Sequence, residues 1–223
     1  MSDDPETYPE RPAREPLFNV PWIIVALIAS LIATHALRTA LHVGAEGFAF
    51  TSDDLARRHW GGLLSYLFTH GSWPHVLMNS AAILAFGPPT ARMMGEGARG
   101  AGAFLGFFFA CGVVAALGYA ALHMRGEWAL VGASGAASGL MAAAARLIDG
   151  QGRVGPLFGR TTIGMTVAWI AINVLLGASG LTPGAAGLPV AWDAHIVGYF
   201  AGLFAIVPFA WMAGSRTDHV LED

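Results

Sequence analysis

The stretch Val131-Gly-Ala-Ser-Gly-Ala-Ala-Ser-Gly-Leu-Met-Ala-Ala-Ala-Ala-Arg146 places one hydroxyl, that of Ser134, among small residues at the start of an apolar run. Glycines at 132 and 135 allow the backbone to approach another molecule closely. Residues 136–146 favour a helix, so Ser134 is predicted at or near a helix N-terminus, where free N–H groups can stabilise an oxyanion. Because position 136 is alanine, the pattern differs from the Gly-x-Ser-x-Gly elbow of soluble hydrolases.

The composition indicates a membrane protein. Hydrophobic residues make up 55% of the 223 residues and charged residues only 12%, which is too apolar for an ordinary soluble domain. The formal charge of -3 offers no basic surface for nucleic acid. The single cysteine, Cys111, lies in an apolar run and is predicted to be a small core residue.

One domain is expected, at residues 20–213. A polar tail at 1–19 lacks the basic-then-apolar order of a signal peptide and is predicted to be disordered. A short tail follows at 214–223. Within the domain, a bilayer core of about 30 Å requires about 20 apolar residues per helix. Six segments qualify, at roughly residues 20–41, 74–92, 100–123, 134–148, 162–176 and 190–213.

The predicted fold is therefore an all-α bundle of six transmembrane helices. Only the first, third and sixth segments are obvious from hydropathy, because the others contain polar or small residues, which mark buried or functional faces in a membrane. All 12 basic residues are arginines, and the positive-inside rule places the richer side, which includes the N-terminus, in the cytoplasm. The eight on that side are Arg11, Arg14, Arg92, Arg99, Arg146, Arg153, Arg160 and Arg216.

With this orientation the second, fourth and sixth helices all begin at the outer face. Their first turns contain His75 and Asn79, then Ser134, then His195. Three helices that are distant in sequence therefore bring polar groups to one level near the outer leaflet. A site assembled between helices requires this convergence.

Ser134 and His195 are the predicted nucleophile and base, because a serine needs a base to remove its proton and histidine is the usual one. Small residues at four-residue spacing let helices pack closely. They are Gly135, Gly139 and Ala143 on the fourth helix and Ala194, Gly198 and Gly202 on the sixth. The alternative, a structural His195 bonded to a backbone carbonyl, is less favoured beside this serine.

His75 and Asn79 lie one helical turn apart and face the same side. Both can donate hydrogen bonds to an oxyanion, and the alternative is that they bond neighbouring helices together. His70 completes the cluster, but neither a carboxylate nor a thiolate accompanies the three residues, so a metal site is the least favoured interpretation.

Two further residues resemble parts of the site. Ser179 lies in a second Gly-Ala-Ser-Gly, at 177–180, which is followed by Leu-Thr-Pro-Gly and is interpreted as loop. Asp193 is the acid nearest to His195, but residues two positions apart on a helix point in different directions. A Ser-His dyad is therefore preferred to a triad. Residues 177–189, rich in glycine and proline, predict a flexible outer loop that could act as a lid. Residues 43–68 are either an interfacial piece or a solvated linker.

Three motifs together resemble the rhomboid family of intramembrane serine proteases, in its compact bacterial six-helix form. They are His-x4-His-x3-Asn at His70, His75 and Asn79, Gly-x-Ser-Gly at 132–135, and Ala-His-x2-Gly-x3-Gly at 194–202. The resemblance covers most of the chain after the polar tail. Any one motif would be weak evidence, whereas all three in this order are specific.

The resemblance implies a Ser-His dyad that cuts transmembrane segments of other membrane proteins near the outer surface of the bilayer, without metal or organic cofactor. It implies Ser134 as nucleophile, His195 as base, His75 and Asn79 as oxyanion donors, and a water-handling or structural role for His70. A bacterial inner-membrane location follows from the same resemblance. Either residues 177–189 or the fifth helix would admit substrate, and the oligomeric state is left open.

Two positions depart from the family pattern. Trp60 is followed by Gly61 where many members have Trp-Arg, and Ser138 stands where many have an aromatic residue that stacks on the histidine. Tyr199 and Met141 are candidates to support the ring instead. Two other functions are alternatives: a rhomboid-like protein that binds and delivers helices without cutting them, and, least favoured, a small transporter or channel.

Overall fold

The computed structural model describes residues 19–124, 129–180 and 190–215. Within these ranges the regular structure is helical, apart from one isolated antiparallel β-bridge between Phe50 and Leu130. A 3₁₀ turn, Tyr66–Phe68, precedes the fourth helix. The helices are α1 (Trp22–Ala40), α2 (Ser52–Ala56), α3 (Gly62–Ser65), α4 (Trp73–Met94), α5 (Ala98–Leu122), α6 (Ser134–Asp149), α7 (Arg160–Ser179) and α8 (Trp192–Ala213).

Four of these helices, α1, α5, α7 and α8, are long and apolar enough to cross a membrane. The prediction that hydropathy reveals only the first, third and sixth segments is therefore wrong for α7. This helix has 20 residues and extends beyond both ends of the predicted segment, so it presents a complete apolar window. The other two long helices are α4, which carries polar residues on its buried side, and α6, which has only 16 residues.

Helix α6 lies at the centre of the described fold. Twelve of its 16 residues are buried, and it packs against α4, α5, α7 and α8, while α1 packs on α4. Its sequence explains this position, because the small side chains of alanine and glycine allow several neighbouring helices to approach its backbone closely.

Helices α6 and α8 meet backbone to backbone. A Cβ atom added to Gly198 would overlap the carbonyl oxygen of Gly135, and one added to Gly202 would overlap that of Gly139. On its other side Gly139 faces α5, where an added Cβ would lie 2.6 Å from the sulfur of the buried Cys111. The two small-residue faces identified in the sequence are therefore in contact in the structure.

Two charged residues form hydrogen bonds at the C-terminal end of α6, opposite Ser134. Arg146 is buried, and its guanidinium donates to the carbonyl of Gly155 from Nε (2.9 Å) and Nη2 (2.6 Å) and to that of Leu203 from Nη1 (2.7 Å). Asp149 accepts the backbone N–H groups of Thr161 and Thr162 at 3.0 and 2.8 Å, which caps the start of α7. One of the eight arginines used to orient the chain is thus a buried side chain and not a loop charge.

The segment between α1 and α4 is folded. Phe50, Tyr66 and Leu67 are buried, and the Tyr66 hydroxyl donates to the carbonyl of Gly112 on α5 at 2.7 Å. Trp60 and Leu64 remain exposed. The interpretation of residues 43–68 as a plain solvated linker is therefore wrong.

The repeated Gly-Ala-Ser-Gly at 177–180 is not a loop, because α7 continues through Ser179 and ends at Gly180, whose φ of 64° is left-handed. Helices commonly end at a left-handed glycine. Ser179 consequently lies at a helix C-terminus, which presents carbonyl groups and not free N–H groups. The rest of the predicted outer loop, residues 181–189, lies outside the described residues, as do residues 1–18 and 216–223 of the two predicted tails.

Candidate active site

Ser134 is the first residue of α6. It follows a turn in which Gly132 has a φ of 103°, a conformation that favours glycine, and the Gly132 N–H donates to the carbonyl of Tyr66 at 2.9 Å. The amide groups of a first helical turn have no partners within the helix. The half-buried Ser134 therefore has its hydroxyl and its own N–H at the N-terminal end of α6.

The imidazole of His195, on the first turn of α8, lies against this hydroxyl. Its Nε2 is 2.7 Å from Ser134 Oγ, although the two residues are 61 positions apart in the sequence. Both side chains are half-buried. The direct backbone contact between α6 and α8 begins at Gly135, next to Ser134, and at Gly198, three residues after His195, and it brings the two side chains within hydrogen-bonding distance.

The second nitrogen of the same ring contacts Asn173 on α7. His195 Nδ1 lies 2.8 Å from Asn173 Oδ1, and Asn173 Nδ2 donates to the carbonyl of Trp169 at 2.9 Å. Asn173 is fully buried. The ring of Trp169 lies 6.1 Å from the imidazole, tilted by 33°. The imidazole of His195 is therefore contacted by α7 as well as by α6.

Neither Asn173 nor Trp169 was among the predicted site residues. Tyr199, one of the two candidates to support the ring, instead pairs its hydroxyl with Thr166 Oγ1 at 3.1 Å. A signal for Asn173 is present in the sequence, because it is an amide in the middle of the apolar segment Trp-Ile-Ala-Ile-Asn-Val-Leu-Leu. Polar residues in such segments face the bundle interior and are often functional.

His75 and Asn79 converge on the turn that precedes Ser134. A Cβ atom added to Gly132 would lie 2.6 Å from His75 Nε2 and 3.2 Å from Asn79 Nδ2. Asn79 is buried, and its Nδ2 has no hydrogen-bond partner among the described residues. Two potential donors from α4 thus lie beside the backbone two residues before the serine.

His70 is buried behind this pair. Its ring packs edge-on against that of His75, with centroids 5.1 Å apart, and both of its nitrogens lack a hydrogen-bond partner in the part of the chain that the structure describes. Buried polar atoms without a protein partner are the sites that ordered water commonly satisfies.

Asp193 is directed away from His195. Its carboxylate lies 2.6 Å from His123 Nε2 at the end of α5 and accepts the N–H of Ala194 at 3.0 Å. In residues 19–124, 129–180 and 190–215, no group of three or more His, Cys, Asp and Glu side chains is arranged to hold a metal ion.

The helical fold and its apolar helices define an integral membrane protein, in which a serine and a histidine from separate helices are hydrogen-bonded. The model of the Rhomboid domain matches residues 57–212, a span that includes all the motif residues named above. The chain therefore belongs to the rhomboid family, and the resemblance inferred from the sequence is confirmed. No curated protein matches the chain.

Members of this family are generally serine proteases that act on transmembrane substrates within the bilayer, and inactive members also exist. Membership alone therefore establishes the fold and the membrane setting. Whether this chain is active depends on its own residues.

Proposed function

We propose that this chain is an intramembrane serine endopeptidase that hydrolyses peptide bonds in or near transmembrane segments of other membrane proteins. The observation that carries the proposal is the 2.7 Å contact between Ser134 Oγ and His195 Nε2. This geometry suits proton transfer from the hydroxyl to the imidazole. A family member that only bound helices would have no need of it.

The proposed reaction has two stages. Ser134 Oγ attacks the carbonyl carbon of the substrate while His195 Nε2 takes its proton, and the tetrahedral oxyanion collapses to an ester as the imidazolium donates that proton to the leaving amine. In the second stage His195 removes a proton from water, which attacks the ester. The carboxylic acid product then leaves and the Ser134 hydroxyl is restored.

The oxyanion would form beside the turn at residue 132. The donors proposed to stabilise it are the backbone N–H of Ser134, at the first position of α6, the imidazole of His75 and the amide of Asn79. His70 is proposed to retain water close by, because its ring is polar, buried and unpartnered among the described residues. Hydrolysis within a bilayer requires such a polar cavity, since the hydrocarbon region contains no water.

We propose that α4 and α6 cross the bilayer with the four more apolar helices. The neighbours of α6 shield it from lipid, whereas α4 turns Leu77, Met78 and Leu84 outward and keeps Asn79 and Ser80 buried. In this arrangement the N-terminus is cytoplasmic, the active site faces the outer side, and a bacterial inner membrane is the expected location. A substrate helix must unwind before its carbonyl can reach Ser134. Substrates with helix-destabilising glycine or proline near the cut site are therefore expected.

A fluorophosphonate probe tests the nucleophile directly. The folded protein in detergent should be labelled on Ser134, as located by peptide mass spectrometry, because the adjacent imidazole makes that hydroxyl nucleophilic. His195→Ala and heat-unfolded protein serve as controls and should be unlabelled. Labelling of Ser179, or equal labelling of Ser134 with and without His195, would contradict the assignment.

Asn79→Ala tests the oxyanion donors. Loss of one such donor should lower kcat by about 10²–10³ with little change in KM, because the bond strengthens only as the oxyanion develops. Ser80→Ala is a matched control, since the neighbouring buried Ser80 hydroxyl donates to the carbonyl of Val76 on its own helix. Equal and small effects of the two substitutions would remove Asn79 from the mechanism.

A further inference from the structure

The imidazole of His195 makes two polar contacts, on opposite sides of its ring, and only one of them is to the serine. We propose that Asn173 is a positioning residue, which holds His195 in the tautomer and orientation that leave Nε2 able to accept the Ser134 proton. This inference rests on the proposed function, because it assigns a task to a residue that supports the base of that same site.

The hydrogen-bond partners of Asn173 fix which way its amide points. Nδ2 is used as a donor to the carbonyl of Trp169 at 2.9 Å, so the atom that faces the imidazole is the carbonyl oxygen Oδ1. A carbonyl oxygen accepts hydrogen bonds and cannot donate one. His195 Nδ1 must therefore carry the proton in the neutral ring, and Nε2 is left with a lone pair directed at Ser134 Oγ, 2.7 Å away.

The same contact remains useful after the proton has moved. The imidazolium carries a proton on each nitrogen, and Nδ1–H continues to donate to Oδ1 of Asn173 while Nε2–H is directed at the leaving group. The carboxylate that could have taken this place, that of Asp193, is bound to His123 at 2.6 Å. The ring is thus oriented by a neutral amide.

The position of Asn173 makes the base depend on α7. Asn173 and Thr162 are the two buried residues of this helix, which otherwise presents mostly half-buried or exposed side chains. Asn173 contacts the reacting histidine, whereas Thr162 belongs to the Asp149 cap at the far end of the helix. If α7 moves away from α8 at this level, His195 loses the acceptor that selects its tautomer.

The experiment compares Asn173→Leu, which preserves size but removes the acceptor, with Asn173→Asp, which retains it. The full-length protein is assayed in vesicles with a model transmembrane substrate, and kcat, KM and the pH profile are measured. Asn173→Leu should lower kcat about 10- to 100-fold, as expected for a buried N–H left without its acceptor, with KM within about twofold of wild type because only the base is disturbed.

Asn173→Asp should restore most of kcat. A carboxylate beside the ring favours the imidazolium, so the acidic limb of the profile, which reports the loss of the free base, should move to higher pH. The other titratable groups whose charges act on the ring, His75 on α4 and Asp193 on its own helix, are unchanged in both variants.

Thr166→Val is the matched control. It removes the other described side-chain hydrogen bond between α7 and α8, that of Thr166 with Tyr199, so any general loosening of α7 appears here too. It should leave kcat and the pH profile near wild type. Equal losses in Thr166→Val and Asn173→Leu, failure of Asn173→Asp to restore kcat, or an unshifted acidic limb would each overturn the inference.

Failure of the proposed function would look different. In that case wild-type protein would neither cleave the substrate nor react with the fluorophosphonate probe, whatever residue stands at 173. Active wild type with an equally active Asn173→Leu would instead reject the role of Asn173 and leave the proposed protease activity in place.

Discussion

Ser134→Ala is expected to abolish cleavage of a model transmembrane substrate, with a loss of about 10⁴-fold or more, because no other group can replace the attacking oxygen. The fold should be unaffected. Ser134 is the first residue of α6, its N-cap neighbour Ala133 makes no side-chain cap bond, and alanine has the highest helix propensity. The measurement is initial cleavage rate in vesicles, with thermal unfolding of the same samples.

Ser179→Ala is the control, since it makes the same change in the second Gly-Ala-Ser-Gly at the exposed end of α7. It should cleave as fast as wild type. If Ser134→Ala cleaves at the wild-type rate, the assignment of the nucleophile is wrong. If Ser179→Ala is the inactive variant, the nucleophile is Ser179 and not Ser134.

Gly198→Val is expected to cost the protein both its stability and its activity. An added Cβ at this position overlaps the carbonyl oxygen of Gly135, and backbone atoms cannot rotate aside as a flexible side chain can. Overpacking typically costs about 1–3 kcal/mol and occasionally more. We expect the upper end or beyond, because α8 must separate from the central helix, which also withdraws His195 from Ser134.

Gly102→Ala on α5 is the matched control, because nothing lies within 4 Å of a Cβ added there. This change should be neutral or stabilise the helix by up to about 1 kcal/mol. Gly198→Ala should fall between the control and Gly198→Val in thermal unfolding. Equal unfolding temperatures for Gly198→Val and Gly102→Ala would mean that the close contact of α6 and α8 does not exist.

Much of the fold follows from sequence because its determinants are local. Apolar length predicts the helices, and the start of α4 is marked by the Ser72 side chain, which accepts the N–H of His75, and by proline in the first turn. The end of α7 differs from the prediction for another reason. The flexible loop predicted at 177–189 begins too early, because the helix continues through Ser179 and its left-handed stop is Gly180.

The pairing of Ser134 with His195 is predictable because small residues on both helices allow a close approach at one register. The contact of Asn173 with the ring is not. It depends on the rotation of α7 against α8, and neither helix sequence fixes this rotation, since the buried residues of α7 are too few to form a clear apolar stripe. The partner of the Asp193 carboxylate is likewise not predictable. It depends on where α5 ends, because that end places His123 beside Asp193.

The 61 positions that separate the hydroxyl from the imidazole have a consequence for biosynthesis. While the chain is being inserted into a membrane, the alcohol on α6 is present before the imidazole of α8 has been made. Under the proposed mechanism this alcohol has no base to activate it until α8 has docked. A nascent copy of the proposed protease would therefore be unable to attack neighbouring newly made proteins, and cleavage would begin only after assembly is complete.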